Sequence, residues 1–119
     1  PYMPKYLCIR RSQPGQPDSQ STGAMPSPAQ MEEMYKRFNA WRETFQANIV
    51  DLGGKLTEAA RVVTPEGVSD GPFVEVKEVV GGYMILSANT IDEAIEVARQ
   101  CPGVIAPGAS LEIREFATL

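Results

Sequence analysis

The stretch Ser69-Asp70-Gly71-Pro72-Phe73-Val74-Glu75-Val76-Lys77-Glu78-Val79-Val80-Gly81-Gly82-Tyr83-Met84-Ile85-Leu86 gathers most of the special residues of the chain. Asp70-Gly71-Pro72 reads as a tight turn: an Asp to cap it, a Gly for unusual backbone angles and a Pro to rigidify the residues after it. On an extended backbone beyond that turn, Phe73, Glu75 and Lys77 share one face and Val74 and Val76 the other. Gly81-Gly82 is a second break. Tyr83 to Ser87 opens on an apolar run and reads as a central strand.

Working outward, Thr90 and Glu93 form a capping box for a helix whose stripe is Ile91, Ala94, Ile95 and Ala98, ended by Pro102-Gly103. Beyond it, Val104 to Ala109 is loop, and Leu111 to Phe116 is a last strand whose mixed charges suit an edge or an interface. Upstream, Thr64-Pro65-Glu66-Gly67 is a turn after a weak strand at Lys55–Val63. Before that, Ser27, Pro28 and Gln30 cap a long helix. Its stripe runs Met31, Met34, Tyr35, Phe38, Trp41, Phe45, Ile49 and Leu52 in steps of three and four, ended by Gly53-Gly54. These aromatics read as core. Ser12 to Pro26 is a loop with no periodicity. Lys5 to Arg11 is the first strand, apolar enough through Tyr6-Leu7-Cys8-Ile9 to be buried on both faces.

The order is therefore β-α-β-β-α-β with a short extra strand. Two right-handed crossovers interleaved on one sheet predict an α+β, ferredoxin-like sandwich. Helices cover one sheet face. A second copy packed on the other, as a homodimer, is the economical way to bury it.

Composition narrows the function. At 119 residues the chain is expected to be one domain, spanning 1–119. A net charge of -4 with scattered basic residues argues against a nucleic-acid binder, which needs a basic stripe to neutralise phosphates. No apolar run reaches membrane-spanning length, and Pro1 to Lys5 has no secretory h-region. Cys8 and Cys101 are isolated, as reduced thiols of a cytoplasmic protein would be. There is no histidine, so His-dependent nucleophilic schemes and His-bearing zinc sites are excluded. No cofactor and no metal is expected. Asp70, Glu75 and Glu78 supply carboxylates for a hard cation but lack a dedicated loop.

The motif Asp70-Gly71-Pro72-Phe73-x-Glu75-x-Lys77-Glu78 followed by Gly81-Gly82-Tyr83 resembles the signature of YCII-related proteins of the DGPF type. Lys5-Tyr6-Leu7, the helix ending at Gly53 and Glu112-Ile113-Arg114 also fit that layout, so the resemblance covers nearly the whole chain. The stretch between first helix and motif is shorter here, and Val79-Val80 stands where Gln-Leu is more typical. The resemblance implies a dimeric α-β barrel. It places the chain in a superfamily of small-molecule-degrading enzymes and proteins without assigned activity. Some YCII-related members carry a proposed His-Asp pair; here Asp70 would stand alone. DGPF-type genes often accompany sigma-factor genes, which implies a regulatory or accessory role.

The motif admits two readings. In the structural one, Asp70 holds its turn and Glu75, Lys77 and Glu78 form ion pairs across strands or the dimer seam. In the functional one, Asp70, Phe73, Glu75, Tyr83 and Arg10 contact a small molecule, Arg10 and Arg42 being candidate anion contacts by their proximity to the expected cavity. Catalysis would then use Asp70 as base and Lys77 or Tyr83 as acid. The expectation is a homodimeric binding or accessory module. The alternative is a His-independent lyase or isomerase acting on a small organic molecule, and a third possibility is a purely structural dimer.

Overall fold

The computed structural model describes residues 3–12, 27–57, 59–71, 79–102 and 108–117, with backbone alone at 70, 71 and 79. Phe73, Glu75, Lys77 and Glu78, most of the Ser12–Pro26 loop and most of the Val104–Ala109 loop lie outside the described residues.

The elements in chain order are β1 (Lys5–Ser12), α1 (Pro28–Thr44), β2 (Ile49–Lys55), β3 (Ala60–Thr64), β4 (Gly67–Gly71), β5 (Val79–Ser87), α2 (Ile91–Arg99) and β6 (Ala109–Glu115). Four strands form an antiparallel sheet in the order β2-β5-β1-β6. Its inner strands, β5 and β1, come from different β-α-β units, the interleaving of a ferredoxin-like α+β fold. The extra strands are a separate hairpin: β3 and β4 pair with each other around Pro65-Glu66.

One sheet face carries both helices. Cys8, Met84 and Leu86 from the sheet meet Trp41 of α1, Val97 and Ala98 of α2, and Cys101 in one buried cluster. Tyr6, Ala88 and Ala94 form a smaller one beside it. Alternation sends Leu7, Ile9, Tyr83 and Ile85 to the opposite face. β1 is thus fully buried at Tyr6 and Cys8 but only half-buried at Leu7 and Ile9, not covered equally on both faces as its apolar run suggested.

Several boundaries differ from the sequence expectation. The first helix ends at Thr44, not at Gly53. Thr44 Oγ1 donates to the Ala40 carbonyl (2.8 Å), and Ile49-Val50 lie just beyond, β-branched residues that favour a strand. Asn48 makes the switch: its carbonyl accepts from Ser87 N (2.6 Å) and its Nδ2 donates to Ser87 O (2.8 Å), which delivers the chain to the edge of β5. Ile49 and Leu52 belong to that strand. The expected strand Lys55–Val63 is the end of β2, a connection, and β3. Asp70 and Gly71 are not a turn; they close β4, opposite Arg61 and Ala60. Gly81-Gly82 does not break the chain either. It lies inside β5, where the register steps from Arg10–Gly82 to Arg11–Val80 and leaves Gly81 as a bulge. The second helix ends at Arg99, before Pro102, and the last strand starts at Ala109 and ends at Glu115.

The expected capping box is complete at Ser27, and only its Thr90 half forms at the start of α2. Ser27 Oγ accepts from Gln30 N (3.1 Å) while Gln30 Oε1 accepts from Ser27 N (2.8 Å), a full box. Thr90 Oγ1 accepts from Glu93 N (3.1 Å). The Glu93 carboxylate accepts instead from Asn89 N (3.1 Å) and Asn48 Nδ2 (3.3 Å), tying the start of α2 to the end of the α1 connection.

Candidate functional site

A cavity of about 340 Å³ opens on the helix side of the sheet, within the range of small-ligand pockets. Its floor is Cys8 and Arg10 of β1 and Gly82 and Met84 of β5; Phe38 and Trp41 of α1 form one wall, and Cys101, Pro102 and Leu111 another. The remaining side runs from Leu52 to Lys55 against Gly81 and Gly82 and is bare at its four glycines.

That bare wall has a geometric cause. β2 and β5 pair with two register shifts. Gly53 takes φ 64°, where an L side chain is strained, and a Cβ there would run into the Tyr83 carbonyl. A Cβ on Gly82 would come within 2.9 Å of the Gly54 carbonyl. Two backbones therefore touch, and only glycine lets them. Cβ atoms on Gly54 or Gly81 would meet nothing within 4 Å, so these two positions leave open space beside the cavity.

Trp41 is placed by its indole, which donates to the Val97 carbonyl of α2 (2.8 Å). The two helices are thereby tied over the sheet. Phe38 and Phe45 tilt against it with centroids 5.7 and 6.4 Å away. The polar side chains on the cavity side of the lining are Arg10, Lys55 and the two thiols; no carboxylate lines it among the described residues. Both thiols are buried. Burial pushes each up to about 11, and at Cys101 the Arg10 charge opposes that rise while Cys8 adds to it. Thiols held protonated in this way are poor nucleophiles near neutral pH. No group of three His, Cys, Asp or Glu gathers as a metal site among the described residues.

Of the residues singled out from sequence, Arg10 and Tyr83 border this cavity. Alternation puts the Tyr83 side chain, opposite Ile9, on the other sheet face. Asp70 sits on the separate β3–β4 hairpin. Arg42 is exposed on α1 and absent from the lining. Sequence reasoning missed Lys55, Trp41 as a wall, and both cysteines. The signal for the wall was present in two Gly-Gly pairs, 53–54 and 81–82, each of which read as a terminator rather than as one crossing.

The other sheet face has an apolar centre, Leu7, Ile9, Tyr83 and Ile85, and a charged edge. Arg11 Nε pairs with Glu112 Oε1 at 3.0 Å, and Arg114 Nε lies 3.9 Å from Glu112 Oε2. These half-exposed pairs contribute little to stability. No helix is long and apolar enough to cross a membrane among the described residues.

The family model of the YCII-related domain matches residues 5–117. No curated protein matches the chain.

Proposed function

The chain belongs to the YCII-related family, and from that premise we propose that it is a homodimeric, non-catalytic module of the DGPF type that holds a small organic anion in an accessory or regulatory role. The observation that carries the reading is the lining of the 340 Å³ cavity: an aromatic wall at Phe38 and Trp41 beside the basic side chains of Arg10 and Lys55. An aryl or alkyl carboxylate satisfies both halves. Its apolar body packs against Trp41, and its charge lies with Arg10, whose guanidinium suits a planar carboxylate. Catalysis is disfavoured because the thiols are held protonated and Asp70 lies on another sheet.

The dimer reading rests on the sheet face opposite the helices, which no described element covers. Its centre is apolar and its rim carries both signs of charge, Arg11 and Arg114 with Glu112, so the face is complementary to a copy of itself. The protein is expected to sediment as two chains.

Trp41 is the one tryptophan in the chain and borders the cavity, so it reports occupancy directly. Aryl carboxylates such as benzoate are expected to change its fluorescence saturably. Arg10→Gln weakens that binding by about 10–100-fold, the worth of a charge-assisted hydrogen bond. Gly81→Val narrows the cavity from its bare wall and blocks binding, while Arg37→Gln on the exposed face of α1 leaves it intact. Equal affinity for the uncharged amide would overturn the anion reading. Turnover of the anion that Asp70→Asn abolishes would replace it with the lyase or isomerase alternative.

A further inference from the structure

Three sulfur atoms border the same cavity: Cys8 on β1, Met84 on β5 and Cys101 just past α2. Cys8 and Met84 are direct partners in the antiparallel ladder, so their side chains leave one face side by side. Cys101 joins them from the helix layer in one buried cluster. A cation entering this cavity meets no carboxylate among the described residues and, in a chain without histidine, no imidazole. Hard cations find no carboxylate there among the described residues. A soft cation finds sulfur.

We propose that Cys8 and Cys101, with Met84 as a weaker third ligand, form a binding site for a soft monovalent metal ion, copper(I). The reaction is an exchange of protons for metal. Two S–H bonds break, two S–Cu bonds form, two protons leave to solvent, and copper stays in the +1 state. The bis-thiolate complex carries one negative charge, which Arg10 in the same lining offsets. Zinc(II) is discriminated against, because its usual four-ligand set of Cys, His and carboxylate is incomplete here. The site uses the cavity of the anion reading but does not depend on it.

The test is anaerobic titration of the reduced protein with copper(I) against a chromophoric copper(I) chelator, with zinc(II) in parallel. One copper(I) per chain is expected, with about two protons released and affinity rising with pH as that release requires. Cys8→Ser and Cys101→Ser each weaken binding by more than about 100-fold, beyond the roughly 10–100-fold typical of changes around a metal site. Met84→Leu, close in volume, weakens it by about tenfold. Near-ultraviolet dichroism of Trp41 reports whether each variant folds. If Cys8→Ser does not fold, Cys101→Ala at the end of α2 decides the matter. Failure of the wild type to compete with the chelator, or unchanged affinity in the folded cysteine variants, overturns the proposal. Benzoate binding measured on Cys101→Ala separates the two ligands: if it persists while copper binding is lost, the anion reading stands independently. Copper binding without any benzoate response removes only the anion reading.

Discussion

Helix α1 has 17 residues and buries one of them, Trp41; helix α2 has nine and buries three, Ala94, Val97 and Ala98. The longer helix is the looser one. The difference lies in what each helix covers. α2 presents small residues and packs flush on the sheet, close enough for Ala94 and Ala98 to lose nearly all contact with solvent. α1 presents Met31, Met34, Tyr35, Phe38 and Trp41, and only its C-terminal half reaches the sheet. Tyr35 remains 61% exposed. Under its large aromatics the cavity survives, because bulky side chains hold a helix away from a sheet that is bare where the glycines cross. One helix closes the core and the other roofs a site.

Breaking the tie between them is the severest test of that contrast. Trp41→Ala removes the roof, enlarges the cavity and leaves the Val97 carbonyl without its indole partner. A loss of about 3–5 kcal/mol in urea unfolding is expected. A loss below about 1 kcal/mol would mean that α1 is held by something other than this residue.

A matched pair sharpens the comparison at lower cost. Ala98→Leu adds three carbons beneath α2, where there is no room, and should destabilise by about 1–3 kcal/mol. Ala40→Leu adds the same atoms to the exposed side of α1 and should change stability by less than about 0.5 kcal/mol. Equal effects in thermal unfolding would erase the distinction between a flush and a raised helix.

The smallest expected effect concerns the caps. Thr90→Ala frees the Glu93 amide and costs about 1 kcal/mol in equilibrium unfolding. Ser27→Ala removes a more complete cap from α1, yet the exposed first turns there can fray alone. Hydrogen exchange should show loss of protection confined to the N-terminus of α1 for Ser27→Ala and spread over α2 for Thr90→Ala. Spreading in both would place the two helices in one cooperative unit.

The site was harder to read than the fold, for a reason visible in particular residues. Trp41 fits a helical stripe whether it fills a core or walls a cavity, because periodicity reports a face and not what lies beneath it. Cys8 and Cys101 are 93 positions apart and carry no spacing signal. The charges around Asp70 are close in sequence, but Asp70 lies on a hairpin that, among the described residues, pairs within its own sheet. Lys55 and Arg10 come to one cavity through strand order, to which local composition is blind.

By itself the sequence determined the α+β class, the helix starts at Ser27 and Thr90, the strands at both ends and the family. Each of these rests on local rules: side-chain period, cap chemistry and a contiguous motif. Tertiary structure decided where α1 stops, since helix and strand both accept Phe45 to Leu52 and the ladder bonds to β5 settle the competition. It also decided what Gly53-Gly54 and Gly81-Gly82 are for. A glycine pair read alone is a break in the chain; two pairs brought together are a close crossing of backbones, and the space they leave is the wall of the cavity.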